Sequence, residues 1–306
     1  MMSFNHSIRQ SCLPSNTSIL RCAFFLAMAV FLSGCPDPPT TFDVKSAYFE
    51  NPYLPITADS TITCVSYNIQ CGFPGDRDPW TLADTGATVE HIKALATHIR
   101  SMNPDIVFLQ EVALNRTNTV VKDMLAMLAT ELKMNYAFGS HGLNDARGIA
   151  PVKAQWGNAI LTRFRIEKIE NAENERLSEW QRRSIISALI DIGGKRIIAS
   201  SLHHIPTEES DQRAKAYFQE SAERFGNAPR IIGGDFNRGG EIGEMESLGL
   251  TDALLRADPS IDSIDKLYFS SKAFSVLKTD LGTQLGTPES RLSDHFAVYC
   301  TLKNLF

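Results

Sequence analysis

Arg230–Asn237 reads RIIGGDFN: a short apolar run, two glycines, then an acid and an amide two positions apart. An apolar run of this length closed by glycine predicts a buried strand over Arg230–Ile232. The residues that follow it are Asp235 and Asn237. The same arrangement recurs along the chain. Asn68 lies near the end of a strand-like run, Thr61–Ile69, and Gln110-Glu111 follow Ile106–Leu109. Asn158 precedes Ala159–Thr162, and His203-His204 follow Arg196–Leu202. Ser293-Asp294-His295 precede Phe296–Leu302. Further strands are predicted over Ile185–Ile192 and Lys266–Phe269, and Gly193-Gly194 is a two-residue hairpin signal. Helices are predicted over Val89–Met102, Val120–Leu132 and Asp211–Phe225; the first puts Ile92, Leu95, Ile99 and Met102 on one face and stops at Asn103-Pro104. Hairpin-linked strands with intervening helices predict an α/β (α+β) fold with antiparallel-rich sheets covered by helices, not a strictly parallel sheet.

Polar groups at the ends of several strands can converge on one rim. A rim of Asp, Glu and Asn offers hard oxygen ligands suited to Mg²⁺. Histidines beside it supply acid–base capacity near neutral pH. Singly, each signal is weak, because an amide or carboxylate after a strand is ordinarily a turn or cap residue. His204 reads as an ordinary surface or packing residue. Ser293, Asp294 and His295 do not read as a hydrolase triad, because contiguous side chains on a strand alternate faces. The chain has neither a Gly-x-Ser-x-Gly elbow nor a Gly-x-x-x-x-Gly-Lys-Ser/Thr phosphate loop.

The 306 residues are 43% hydrophobic and 21% charged, which excludes collagen-like, coiled-coil and wholly disordered classes. Net charge is −5; residues 1–35 hold Arg9 and Arg21 and no acid, so the remainder carries −7. A basic footprint for tight nonspecific nucleic-acid binding is therefore absent. Cys22–Leu32 reads CAFFLAMAVFL after Arg21, too short for a membrane span of about 20 apolar residues and suited to a signal-peptide core. Leu32-Ser33-Gly34-Cys35 resembles a bacterial lipoprotein lipobox, which implies a signal over 1–34, a lipidated Cys35 and an exported protein tethered in the cell envelope. Prolines 36, 38, 39, 52 and 55 predict a semi-rigid tether over 35–60, although Tyr48, Phe49, Tyr53 and Leu54 allow part of it to pack on the domain. Residues 61–306 form one domain. Cys64, Cys71 and Cys300 remain after the anchor; Cys64 and Cys71 would lie about 23 Å apart on an extended segment, too far for a bridge.

Taken in order, the blocks SYNI (66–69), PDIVFLQEV (104–112), WGNAIL (156–161), SLHHIP (201–206), GGDFN (233–237), SIDKLYFS (263–270) and SDHF (293–296) resemble the endonuclease/exonuclease/phosphatase superfamily, the DNase I-like fold. The resemblance spans residues 61–306 and implies a four-layer α/β/β/α sandwich: two mostly antiparallel sheets flanked by helices. It further implies a hydrolase of phosphoric esters dependent on Mg²⁺ or Mn²⁺. Glu111 resembles the main metal carboxylate, with Asn68 and Asp294 close to the ion. Such an ion offsets the charge of an anionic phosphoester as the transition state forms. His295 resembles the histidine beside the scissile phosphate, and Asp265 the carboxylate that orients it. Asp235 resembles the residue that positions or deprotonates water. Asn237 and Asn158 resemble amides holding phosphate oxygens, and His203 matches a nuclease-branch histidine able to protonate a leaving oxygen. Arg182 or Arg183 is expected to supply a cationic phosphate contact, the alternative being that the pair is a solvated strand edge. The sequence departs from the nuclease branch just before Asn158, where Ala154, Gln155 and Trp156 offer no carboxylate partner for His203.

Fold does not choose the substrate. The leading expectation is a membrane-anchored, monomeric phosphodiesterase of nuclease type acting on nucleic acid or nucleotide. The enzymatic alternatives are a phosphomonoesterase, a phospholipid or sphingomyelin hydrolase acting on a lipid headgroup, and an inositol-phosphate hydrolase. A non-catalytic surface-binding module is the alternative from another class, and the acid, amide and histidine set argues against it. Gly139–Lys153, with His141, Arg147 and Lys153, reads as a Gly-rich loop that can contact phosphate or simply flex.

Overall fold

The computed structural model describes residues 44–47, 60–75, 87–115, 120–145, 154–178, 181–282 and 291–306. The signal segment, Cys35, most of the tether, Arg147 and Lys153 lie outside the described residues.

The alternation of apolar side chains builds the layers. In β2 (Thr61–Asn68), Val65 and Tyr67 face one core while Ile62 and Cys64 face another. In β3 (Ile106–Leu114), Val107 and Leu109 divide in the same way from Ile106 and Phe108. The first core packs under α1 (Val89–Ser101) and α2 (Met124–Leu132), and the second fills the space between the two sheets. A third core joins Ile185 and Leu202 to Ala214 and Phe218 of α3 (Glu208–Arg224). Burying each such side chain contributes about 1.5–3 kcal/mol.

The remaining strands are β1 (Val44–Ala47), β4 (Asn135–Asp145), β5 (Ala154–Thr162), β6 (Arg165–Ser178), β7 (Gln181–Asp191), β8 (Arg196–His203), β9 (Arg230–Asp235), β10 (Leu250–Asp252), β11 (Asp265–Ser270), β12 (Phe274–Leu281) and β13 (Val298–Asn304). Short helices α4 (Gly243–Glu246) and α5 (Ala253–Ala257) flank β10. One sheet has the order β1-β4-β5-β3-β2-β13-β12 and the other β10-β11-β9-β8-β7-β6. All neighbours are antiparallel except β2/β3 and β8/β9. The expected four-layer sandwich is the observed one.

Several boundaries differ from the sequence expectation. Val44–Ala47 pairs with β4, so the sheet takes in part of the proline-rich stretch read as tether. Residues 139–145 extend β4 instead of opening a loop. Glu111 is not beyond the end of its strand: β3 runs on to Leu114, and the register against β5 shifts between Leu109 and Val112. Glu111 sits in that bulge with φ 55°, and the extra residue re-aims its side chain. Asn158 likewise lies inside β5, not ahead of it. The helix expected from Val120 begins at Met124, where the Asp123 side chain accepts the Ala126 N–H. Gly233 is required by a close approach: a Cβ there would overlap the Phe108 ring of the facing sheet. Cys64 and Cys300 stand opposite one another on β2 and β13, both buried, and Cys71 is buried in the turn after β2.

Candidate active site

Strand register assembles the site. Asp235 on β9 is the register partner of both His203 on β8 and Asp265 on β11. From the other sheet, the end of β2 contributes Asn68 and the β3 bulge Glu111, while the segment ahead of β13 contributes Asp294 and His295. Gln110 links the sheets at this rim: its Nε2 donates to Ser201 Oγ at 3.1 Å, and Ser201 Oγ donates to Leu109 O.

The buried Asp235 carboxylate is the hub. Its Oδ1 accepts the Asn237 N–H at 2.9 Å and its Oδ2 accepts Asn68 Nδ2 at 3.0 Å. The same Oδ2 lies 3.5 Å from His203 Nε2 and 3.7 Å from His295 Nε2. His203 Nδ1 faces Glu111 Oε1 at 3.7 Å, and His295 Nε2 lies 4.0 Å from Asp294 Oδ1. A continuous path of close contacts thus runs from Glu111 through His203, Asp235 and His295 to Asp294. The carboxylate that His203 lacks in the sequence before Asn158 is replaced by Glu111 and Asp235, and Trp156 packs edge-on to its ring.

His295 Nδ1 donates to Asp265 Oδ2 at 2.9 Å. Burial alone pulls the His295 imidazole down, but the hydrogen bond and charge of Asp265, with Asp235 and Asp294, carry it up to about 10. Burial raises the Asp265 carboxyl to about 6 against the opposing pull of His295. Near pH 7 the pair is therefore imidazolium and carboxylate.

Asp235, Asp265 and His295 bring ligand atoms within 4.8 Å of one another, a grouping able to hold a metal. Their inner atoms are already committed to one another, to Asn68 and to Asn237, which suits holding a proton. Glu111 and Asp294 present the more open oxygens, with side chains 17% and 47% exposed. Carboxylate oxygens of this kind are the hard ligands that suit a divalent cation, and the neighbouring Asn68 Oδ1 accepts the Gln70 N–H at 3.1 Å.

The two amides expected at phosphate are both engaged: Asn237 Nδ2 donates to His204 O at 2.8 Å and Asn158 Nδ2 to Ser184 O at 2.8 Å. Each amide nitrogen carries a second hydrogen. Arg183 stacks its guanidinium on Trp156, 4.4 Å from the ring centroid. Arg182 is only 2% exposed and its Nε has no hydrogen-bond partner among the described residues. Sequence reasoning gave no defined place to Trp156 and His141, which pack edge-on at 5.0 Å, with Ser184 N–H donating to His141 Nδ1. Only the WGNAIL block hinted at Trp156. His204, taken for a surface or packing residue, is buried in a polar network.

Two face-to-face sheets with this rim of carboxylates, amides and histidines define a DNase I-like α/β sandwich. Residues 65–295 match the model of the Endonuclease/Exonuclease/phosphatase family. The chain belongs to that family, whose members hydrolyse phosphoesters. Among solved structures, it is similar to an endonuclease/exonuclease/phosphatase family protein from Bacteroides thetaiotaomicron, with 18% identity, TM-score 0.59, and 80% of this chain and 98% of the other covered. It is similar to the human Nocturnin catalytic domain with bound sulfate anion, with 18% identity, TM-score 0.61, and coverage of 88% and 100%. It is also similar to TDP2 from Caenorhabditis elegans, with 20% identity, TM-score 0.54, and coverage of 80% and 74%. No curated protein sequence matches the chain.

Proposed function

We propose that the protein is a divalent-metal-dependent phosphodiesterase of nuclease type, exported and held at the cell envelope through Cys35. The observation that carries the reading is the convergence on Asp235 Oδ2 of Asn68, His203 and His295, drawn from three distant parts of the chain. Glu111, Asn68 and Asp294 would hold Mg²⁺ or Mn²⁺, which when bound neutralises charge on a phosphoryl oxygen. Asp235 orients the attacking water and takes its proton. His295, kept cationic by Asp265, faces the phosphoryl oxygens. His203 gives a proton to the leaving oxygen. Asn158 and Asn237 orient the phosphate through their second amide hydrogens. Of the two arginines, Arg183 is the one we place at phosphate, because its guanidinium stacks on Trp156, whose ring also packs on His203.

One observation favours a lipid substrate as the second reading. Phe296 (46% exposed) and Ile264 (40% exposed) directly adjoin His295 and Asp265, so apolar surface borders the site. Among the described residues no helix is long and apolar enough to cross a membrane. The test is turnover of plasmid DNA, RNA, sphingomyelin, inositol phosphates and bis(p-nitrophenyl) phosphate with Mg²⁺, Mn²⁺ or EDTA. Metal-dependent cleavage of nucleic acid is expected. Cleavage of lipid alone would replace the substrate, and no cleavage by the wild type of any substrate would overturn the reading. Radioactive palmitate incorporation, lost in Cys35→Ser, tests the anchor.

A further inference from the structure

We propose that His204, Asp211 and Arg238 form a clasp, buried at His204 and Asp211, that positions Asn237 and His203 for phosphate. The main chain of His204 bonds both sides of the Asp235 turn: its N–H donates to Asp235 O at 2.7 Å, and its carbonyl accepts Asn237 Nδ2 at 2.8 Å. Its side chain points away from the site and is locked from behind. His204 Nε2 meets Asp211 Oδ1 at 2.7 Å, while Asn174 Nδ2 approaches Nδ1 at 3.1 Å and Ser210 Oγ lies 3.2 Å from the same nitrogen. Because Asn174 Nδ2 is a donor, Nδ1 accepts and the proton sits on Nε2, directed at Asp211; this tautomer is assigned from the network.

Arg238 NH1 donates to the other oxygen of Asp211, Oδ2, at 2.7 Å. Arg238 follows Asn237 directly, so the ring closes: Asn237, His204, Asp211, Arg238 and back to Asn237. Asp211 lies in the first turn of α3, which anchors the ring to a helix. Helix capping does not explain it, since the Thr207 side chain already accepts the Ser210 N–H.

Polar groups buried as deeply as His204 and Asp211 stabilise a fold little, because desolvation offsets their attraction. What they supply is geometry. Asn237 has φ 53°, a left-handed backbone that asparagine tolerates, fixed here by hydrogen bonds of its N–H to Asp235 and of its side chain to His204. Its amide must also keep one hydrogen on His204 O to aim the other outward. His203, one residue before His204, shares the same backbone anchor. Loosening the clasp therefore frees both groups that would face phosphate. These three are positioning residues, and the inference rests on the phosphodiesterase reading.

The experiment uses the full chain with bis(p-nitrophenyl) phosphate and saturating Mn²⁺. His204→Ala and Asp211→Ala are expected to lower kcat about 10- to 100-fold, with KM changed less than about threefold. His204→Gln, whose amide nitrogen can reach Asp211, is expected to recover most of what His204→Ala loses. In an Asn237→Ala background, Asp211→Ala should cost clearly less than it does in the wild type, because one of the two residues it positions is gone and only the part carried through His203 remains. Unchanged kcat in folded His204→Ala, no recovery with Gln, or the full Asp211→Ala loss in the Asn237→Ala background would each overturn the clasp. A wild type without activity would count against the phosphodiesterase reading alone. The clasp is then read by amide hydrogen exchange in Arg238→Gln, which leaves the fold's apolar cores intact. Lost protection confined to 203–207 and 235–240 supports it, and unchanged protection there refutes it.

Discussion

Asp235→Asn removes a charge while keeping the shape of the hub. The amide cannot reproduce the bonding. One carboxylate oxygen accepts the Asn237 N–H and the other accepts Asn68 Nδ2, so an NH₂ on either side meets a donor. One hydrogen bond to a charged group is lost, at a cost of about 1.5–3 kcal/mol. Removing the Asp235 charge also relieves its repulsion of Asp265 and gives up its attraction for the His295 imidazolium, two effects of opposite sign. Stability should fall by about 1.5–3 kcal/mol, a Tm shift of about 3–12 °C. The chemical step loses its base, which is worth about 10²- to 10⁴-fold, or about 2.7–5.5 kcal/mol in the barrier. Kinetics with bis(p-nitrophenyl) phosphate and Mn²⁺, beside a thermal melt, separate the two effects. A kcat within about threefold of wild type in a folded Asp235→Asn protein would refute the assignment of Asp235 as base.

Asp265→Asn removes the main influence that raises His295, leaving burial to lower it against the smaller pull of Asp235 and Asp294. The alkaline limb of the pH–rate profile should move to lower pH, and kcat at pH 8 should drop about 10- to 100-fold. His98 is buried beside Tyr67 and its pKa is lowered by that burial, so the unfolded chain binds a proton there that the folded chain does not. Stability should be fully present above the ordinary value of about 6.5 and fall as pH drops below it; His98→Gln should flatten Tm against pH in that window. Lys266 Nζ and Asp252 Oδ2 form a buried ion pair at 3.2 Å. Lys266→Met strands the Asp252 charge and should cost about 3–5 kcal/mol in urea melts, and adding Asp252→Asn should recover much of it.

Much of this fold was readable because buried strands such as Ile106–Leu109 and Arg196–Leu202 carry dense β-branched and aliphatic runs, and because α1 keeps a helical stripe. The edge strand β6 escaped notice because RIEKIENAENERLS lies at a sheet edge and is mostly polar. β4 escaped because Gly139 and Gly142 resemble a loop. Site residues were legible as motifs, but their geometry was not. The bulge that turns Glu111 and the row His203–Asp235–Asp265 exist only through strand register, which one sequence does not display. The partners of His204 were illegible for the same reason: Asp211 reaches its ring, and Arg238 reaches Asp211, through tertiary packing, not through spacing.

Anomalous diffraction from a crystal of the full chain soaked in Mn²⁺ tests the central claim most directly. The account predicts one manganese bound to a Glu111 carboxylate oxygen at about 2.1–2.3 Å, with Asn68 and Asp294 around it. A manganese seated instead between Asp235, Asp265 and His295, or none at the rim, would contradict it.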